Sequence, residues 1–411
     1  MVKYEKHILN NGLKVLAHQD KSTPIAAFNI LYDVGAKHED PEMTGMAHLF
    51  EHLMFEGSSN VKEFDTELQN AGGENNAFTS NDITNYYMTL PVNNIETAFY
   101  LESDRMFHPL LSEEKLVTQK NVVIEEFKQS YLNQPYGDVL MLLRSLTYKV
   151  HPYQWPTIGK NIEHIEKIQM QHVIDFYNKF YKPDNAIIAV AGNISPHDVF
   201  MLAEKWFGNI KPSVNAKSIL AVEPSQIEKR LLKVERDVPF DEVYLAFHTV
   251  ERLNNSYYGI DLISDILGTG NSSRLYLELL KEKKLFSQVN AWVSGCTDPG
   301  LIVLTGRLIK GVPVENGEKE ILQLLNTLKN KTLDNRELQK VKNQIEVSNA
   351  YADINALSKA MNLAYYEYIG NADLLNQQNE KYFAVTPEDI LKLSQEIFND
   401  SNMSILHYCS K

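Results

Sequence analysis

The second half of this chain echoes the first. Phe176-Tyr177-Asn178-Lys179-Phe180-Tyr181 with Ala186-Ile187-Ile188-Ala189 aligns without a gap on Leu393-Ser394-Gln395-Glu396-Ile397-Phe398 with Met403-Ser404-Ile405-Leu406, at an offset of 217 residues. Gly57-Ser58-Ser59 aligns on Asn271-Ser272-Ser273 at 214, and Leu111-Ser112-Glu113-Glu114 on Leu333-Asp334-Asn335-Arg336 at 222. Three near-equal offsets in one order indicate a duplicated domain of helices and strands. A chain of 411 residues has room for two such domains. The stretch 211–226 is polar, lacks a period and carries Pro212 and Pro224, so it reads as the linker between domains 1–210 and 227–411.

The most informative local stretch is His48-Leu49-Phe50-Glu51-His52. Each helical residue advances about 100°, so His48 and His52 share a face about 40° apart, with Glu51 about 60° to the other side of His48. Two imidazoles and a carboxylate in one arc suit a zinc centre, with the carboxylate free to act on water. The order H-x-x-E-H inverts the common H-E-x-x-H. Ala47, Leu49, Phe50, Leu53, Met54 and Phe55 make the segment apolar almost all round, as in a buried helix. Thr44 is a candidate N-cap, and Gly57 a stop. The competing reading is three polar residues hydrogen-bonded within a core.

Shifted by 214, the positions of His48, Glu51 and His52 become Leu262, Asp265 and Ile266. The second domain is thus expected to lack the metal site and to supply structure or a binding surface.

Elsewhere the pattern predicts a hairpin over 7–17 and a strand over 26–34. A short helix over 64–71 precedes strands over 76–80 and 84–90. Helices follow over 95–107, 113–132, 137–148 and 167–180, then a strand over 186–191 and a helix over 196–207. Apolar residues make up 44% of the chain, enough for large cores. Net charge is −13 with no basic run, which argues against nucleic acid and anionic membrane surfaces as partners. Cys296 and Cys409 form neither a disulfide framework nor a Cys-type zinc site. The other ten histidines show no ligand spacing. No leader segment or apolar run of about 18 residues is visible, so no membrane span is expected. The expectation is a cytoplasmic protein, or a periplasmic one if a signal peptide has been removed.

With these motifs the chain resembles the M16 (pitrilysin/insulinase-type) zinc metallopeptidases, of the short two-domain kind that includes the mitochondrial processing peptidase β subunit. The resemblance rests on the H-x-x-E-H helix followed by Gly57-Ser58-Ser59. It rests also on Gly72-Gly73-Glu74-Asn75-Asn76-Ala77-Phe78-Thr79-Ser80 with Thr84 and Tyr86, and on Asn121-Val122-Val123-Ile124-Glu125-Glu126. It implies an α+β class: two homologous domains of mixed, mainly antiparallel sheet flanked by helices, the LuxS/MPP-like metallohydrolase fold. It implies Zn2+ held by His48, His52 and a downstream glutamate, with Glu51 moving the proton of the attacking water. The family pattern places the third ligand on the second of two acids, hence Glu126, with Glu125 as the alternative. A supporting acid of the family is replaced here by Gln119, which can still donate to a ligand carboxylate but brings no charge. Weaker zinc binding than usual is the expectation. Asn76, Ala77, Phe78 and Thr79 would form an edge strand that pairs with an extended peptide.

The family's active pairs usually carry an Arg and a Tyr in the second domain. Here Lys281 and Ser287 or Gln288 occupy the matching region, and lysine lacks arginine's bidentate fork. The resemblance therefore implies a zinc endopeptidase for unfolded peptides, its chamber closed by two chains. This chain would be the catalytic half of a heterodimer, with a homodimer possible. The alternatives are a non-catalytic structural or binding subunit, or a zinc hydrolase of non-peptide substrates.

Overall fold

The computed structural model describes residues 1–213 and 220–411; positions 214–219 of the expected linker lie outside them. The chain packs into two compact units. Unit 1 comprises Met1–Lys128, Trp155–Leu220 and Asn349–Gln377, and unit 2 comprises Gln129–Gln154, Ala221–Ser348 and Gln378–Lys411. Each half of the chain contributes one segment to the unit built mainly from the other half. A single cut within 211–226 does not capture this exchange, because a lent segment is held by burial against a sheet and not by its place in the chain.

Unit 1 holds strands β1 (Glu5–Ile8), β2 (Lys14–Gln19), β3 (Ile25–Tyr32), β4 (Glu74–Thr79), β5 (Thr84–Pro91) and β6 (Ala186–Gly192). They form one sheet in the order β1-β2-β6-β3-β5-β4. Only β2 and β6 run parallel; the other pairings are antiparallel. The strand β3 is buried on both faces. Its Ala27 and Leu31, with Ala189 and Ala191 of β6, pack against Ala360, Leu363 and Ala364 of the lent helix Ala356–Tyr368. The small residues on both sides let helix and sheet approach closely. Beneath them Asn29 and Asn85 exchange side-chain amide bonds of 2.9 and 2.8 Å, so these two buried amides satisfy each other.

Unit 2 repeats the plan with β7 (Arg230–Arg236), β8 (Glu242–His248), β9 (Phe286–Val293), β10 (Leu301–Leu308) and β11 (Met403–Ser410), in the order β7-β11-β8-β10-β9. Its one parallel pairing, β7 with β11, matches β2 with β6. Strand for strand the order equals that of unit 1 without β1, so the duplication read from the offsets is a duplication of topology. The lent helix here is Val139–Thr147, whose Val139 and Leu143 pack with Ala246, Val303 and Leu406.

Four helices of unit 1 bear on the site: α1 (Met46–Met54), α2 (Phe64–Asn70), α3 (Ile95–Phe107) and α4 (Glu113–Phe127). Thr44 does not cap α1. Its hydroxyl accepts from the Lys160 amide at 2.7 Å and bonds to His164 Nδ1 at 3.0 Å. The buried carboxyl group of Glu39 takes the place of a cap, its oxygens accepting from the Gly45 and Ala47 amides at 2.9 and 2.8 Å. Carboxyl oxygens at a helix N-terminus meet N–H groups that have no partner within the helix. Gly57 ends this region with φ of +91°; a Cβ there would stand 2.6 Å from the Lys62 carbonyl oxygen. Two expected helices are shorter or broken. The helix expected over 113–132 is α-helical to Phe127 and continues as a wider π-type turn over Lys128–Leu132. The one expected over 167–180 begins only at Met170 and runs to Phe180, with a separate short helix, Ile162–Glu166, before it.

Candidate metal centre

Helix α1 is buried along Ala47, Leu49, Phe50, Leu53 and Met54, while His48, Glu51 and His52 are only partly covered. The apolar face seats the helix in unit 1, and the polar arc is left facing α4 and β4. Across from it, Glu126 Oε2 lies 3.8 Å from His48 Nε2 and 3.6 Å from His52 Nε2. One ligand atom from each of the three residues falls within 4.8 Å of the others, the one such cluster among the described residues. Ligand atoms of a tetrahedral zinc stand about 3.4 Å apart, so two nitrogens and a carboxylate oxygen at these separations fit that ion. Glu125, one residue earlier on α4, turns away and pairs with Lys128 at 2.7 Å. A step of about 100° separates them, and the packing of α4 on α1 decides which one faces inward.

The electrostatics suit cation binding. Burial pushes the His48 imidazole down to about 4, leaving it neutral with a lone pair to offer. His52 is also opposed by burial, but Glu126 and Glu51 outweigh that and raise it. The His52 imidazole, against the opposing effect of burial, holds Glu126 below the usual carboxylate range. His48 Nδ1 is buried without a partner among the described residues.

Behind His52, the Gln119 side-chain oxygen accepts from Nδ1 at 3.2 Å. This bond puts a proton on Nδ1 and leaves Nε2 as the ring atom on the Glu126 side, free to offer its lone pair to a cation held there. Gln119 Nε2 in turn donates to Glu56 Oε1, and Lys115 pairs with the other oxygen of Glu56 at 3.2 Å. Gln119 thus meets a histidine, not the ligand carboxylate expected from the resemblance. Glu56 and Lys115 were not singled out in the sequence; their only signal is their place one turn from His52 and from Gln119.

Glu51 lies beside the cluster. Thr79 Oγ1 of β4 donates to Glu51 Oε2 at 2.5 Å. Burial raises the Glu51 carboxyl, and the Thr79 bond pulls it partly back. The strand β4 is the sheet's edge, paired only with β5. The Ala77 amide turns away from β5 and is taken by Asn76 Oδ1 at 2.8 Å. Asn76 and Phe78 are exposed, and Ala77 and Thr79 half-buried. In unit 2, Leu262 and Ile266 are fully buried in the core and carry no ligand atoms. Lys281, Ser287 and Gln288 are exposed.

Comparison with known proteins gives this geometry a context. Residues 14–161 match the family model described as insulinase (peptidase family M16), and residues 167–345 match the peptidase M16 inactive domain. The chain is 29% identical over 411 residues to the zinc protease PqqE of Helicobacter pylori, covering 97% of this chain and 91% of that one. It is 24% identical to the probable mitochondrial-processing peptidase subunit beta of Schizosaccharomyces pombe, covering 98% and 90%. A crystal structure of a protease from Helicobacter pylori superposes with a TM-score of 0.94 at 28% identity, covering 99% of this chain and all of that one. No described helix is long and apolar enough to cross a membrane. With both family models matched in order across most of its length, the chain belongs to the M16 peptidase family.

Proposed function

We propose that this protein is a zinc-dependent endopeptidase acting on unfolded peptides. The observation that carries the reading is the convergence of His48, His52 and Glu126, with Glu51 alongside and the edge strand β4 bonded to Glu51 through Thr79. His48, His52 and Glu126 would hold the ion. Zinc bound there would supply a Lewis acid for the scissile carbonyl and lower the pKa of water. The carboxylate of Glu51 takes the proton of the attacking water and delivers it to the leaving amine. Strand β4 takes the substrate backbone by ladder pairing, which selects extended, flexible chains over folded ones. A chain already 29% identical to a zinc protease over almost its full length supports the same chemistry.

The second subunit is part of this reading. The matching region of the second domain carries Lys281, Ser287 and Gln288 instead of an Arg and a Tyr, so a companion M16 chain supplies that pair and this chain is the catalytic half of a heterodimer.

The deciding experiment is hydrolysis of a quenched, unstructured peptide library by the zinc-loaded chain, with Glu51→Gln and a chelator as controls. Cleavage by the wild type, lost in both controls while Glu51→Gln still binds zinc, is expected. Cleavage that survives Glu51→Gln would refute the assignment. If the zinc-loaded chain alone is silent, adding the companion subunit should restore cleavage.

A further inference from the structure

Strand β4 offers a second feature beyond its backbone. Along it the side chains alternate, with Asn75, Ala77 and Thr79 half-buried and Glu74, Asn76 and Phe78 exposed. Thr79 reaches Glu51, so the odd positions face the α1 side and the even positions the opposite face. On that opposite face, Asn76 and Glu74 stand across from Tyr87 and Thr89 of β5. There a cavity of about 220 Å³ opens, lined by Glu74, Asn75, Asn76, Tyr87, Thr89 and Leu357.

Glu74 is the single charge in this lining. One of its carboxylate oxygens accepts from Thr89 Oγ1 at 3.0 Å. The other has no partner among the described residues. Leu357 and the ring of Tyr87 form an apolar wall beside it. A side chain with a long apolar stem and a cationic, hydrogen-donating head matches these parts. The outward amide of Ala77 shows that an added strand would bond to the odd residues of β4. Its side chains opposite Glu74 and Asn76 then fall on the face that holds the cavity.

We propose that this cavity is a specificity subsite that takes the Lys or Arg side chain of a peptide strand added to β4, and that Glu74 determines the preference. The inference rests on the peptidase reading above and names its substrate class: extended peptides with a basic residue at a set distance from the cleaved bond. Residues opposite Asn76 and Glu74 are three and five positions from the residue opposite Thr79. The basic side chain therefore sits away from the metal centre, about 10–17 Å along the strand.

The test uses the full zinc-loaded chain, with the companion subunit added if the chain alone is silent, and a set of uncharged host peptides in which one Arg, or its neutral analogue citrulline, is moved position by position. At one position kcat/KM for Arg should exceed that for citrulline by about fivefold. That ratio should fall to near one in Glu74→Gln, and Glu74→Lys should instead favour a Glu at the same position. An Arg preference unchanged in both variants, or no preference at any position, overturns the subsite. Binding of the same peptides to the Glu51→Gln protein, read by fluorescence anisotropy, separates the two readings. Arg-dependent binding with no cleavage by the wild type, either alone or with the companion subunit added, would refute the peptidase reading and keep the subsite. Cleavage indifferent to Glu74 would do the reverse.

Discussion

Thr79 Oγ1 and Glu51 Oε2 lie 2.5 Å apart, joining the edge strand to the carboxylate of the helix that carries His48 and His52. One hydroxyl thus connects the proposed substrate strand to the carboxylate proposed to handle the proton. The bond orients the Glu51 side chain and steadies its charged form against the effect of burial. Thr79→Val keeps the shape and removes the hydroxyl. We expect kcat to fall about 10-fold, with zinc content unchanged, by analogy with other losses of groups that orient metal-site residues. Wild-type kcat in Thr79→Val would show that the bond is incidental.

Gln119 sets the tautomer of His52 and is itself held by Glu56. Gln119→Leu should weaken zinc binding by about 10–100-fold, measured by competition with a chromophoric chelator. Gln119→Glu should strengthen it, because a carboxylate accepts more strongly from the His52 N–H, and Lys115 sits close enough to offset repulsion from Glu56. An unchanged affinity in both variants would remove Gln119 from the site.

Glu39 couples the stability of unit 1 to pH. Burial pushes its carboxyl up to about 8 from 4.5, against the pull of the bonds from Ala47, Gly45 and Trp155. Between these values the folded state holds a proton that the unfolded state has released. The contribution to stability is therefore complete below about pH 4.5 and lost as pH rises through 8. Glu39→Gln lacks this dependence. The difference in Tm, Glu39→Gln minus wild type, should become more positive from pH 5 to pH 8 in thermal melts. A difference that stays flat or falls would show that Glu39 is ionised throughout.

Arg105 and Glu102 form a buried pair within α3, bonded at 2.6 Å through Nε. The guanidinium also stacks over Tyr86 at 4.2 Å and Phe64 at 4.6 Å. Arg105→Met strands the Glu102 carboxylate in the core and should cost about 3–5 kcal/mol in denaturant unfolding. Adding Glu102→Gln should recover much of that loss, since no buried charge then remains unpaired. Equal destabilisation by the double variant would place the whole effect in packing.

Much of the protein was legible in its sequence. The H-x-x-E-H arc follows from helical geometry over five residues, and the duplicated plan from offsets between short segments; the strand over 76–80 was legible as a strand, and its place at the sheet edge came from the family resemblance. Apart from that place, these are local periodicities that burial on one face imposes on neighbouring residues. The tertiary structure decided what depends on distant partners. It turned Glu126 and not Glu125 toward the imidazoles, since adjacent helical positions differ only in how α4 packs. It gave the α1 terminus to Glu39 instead of Thr44, because the buried Glu39 side chain bonds the free amides while Thr44 bonds Lys160 and His164. Gln119 met His52, and Thr79 met Glu51, across 67 and 28 residues of chain. The same packing exchanged 129–154 and 349–377 between the units. Such contacts are chosen by which apolar faces bury one another, and that choice is made by the whole fold and not by any short window of the chain.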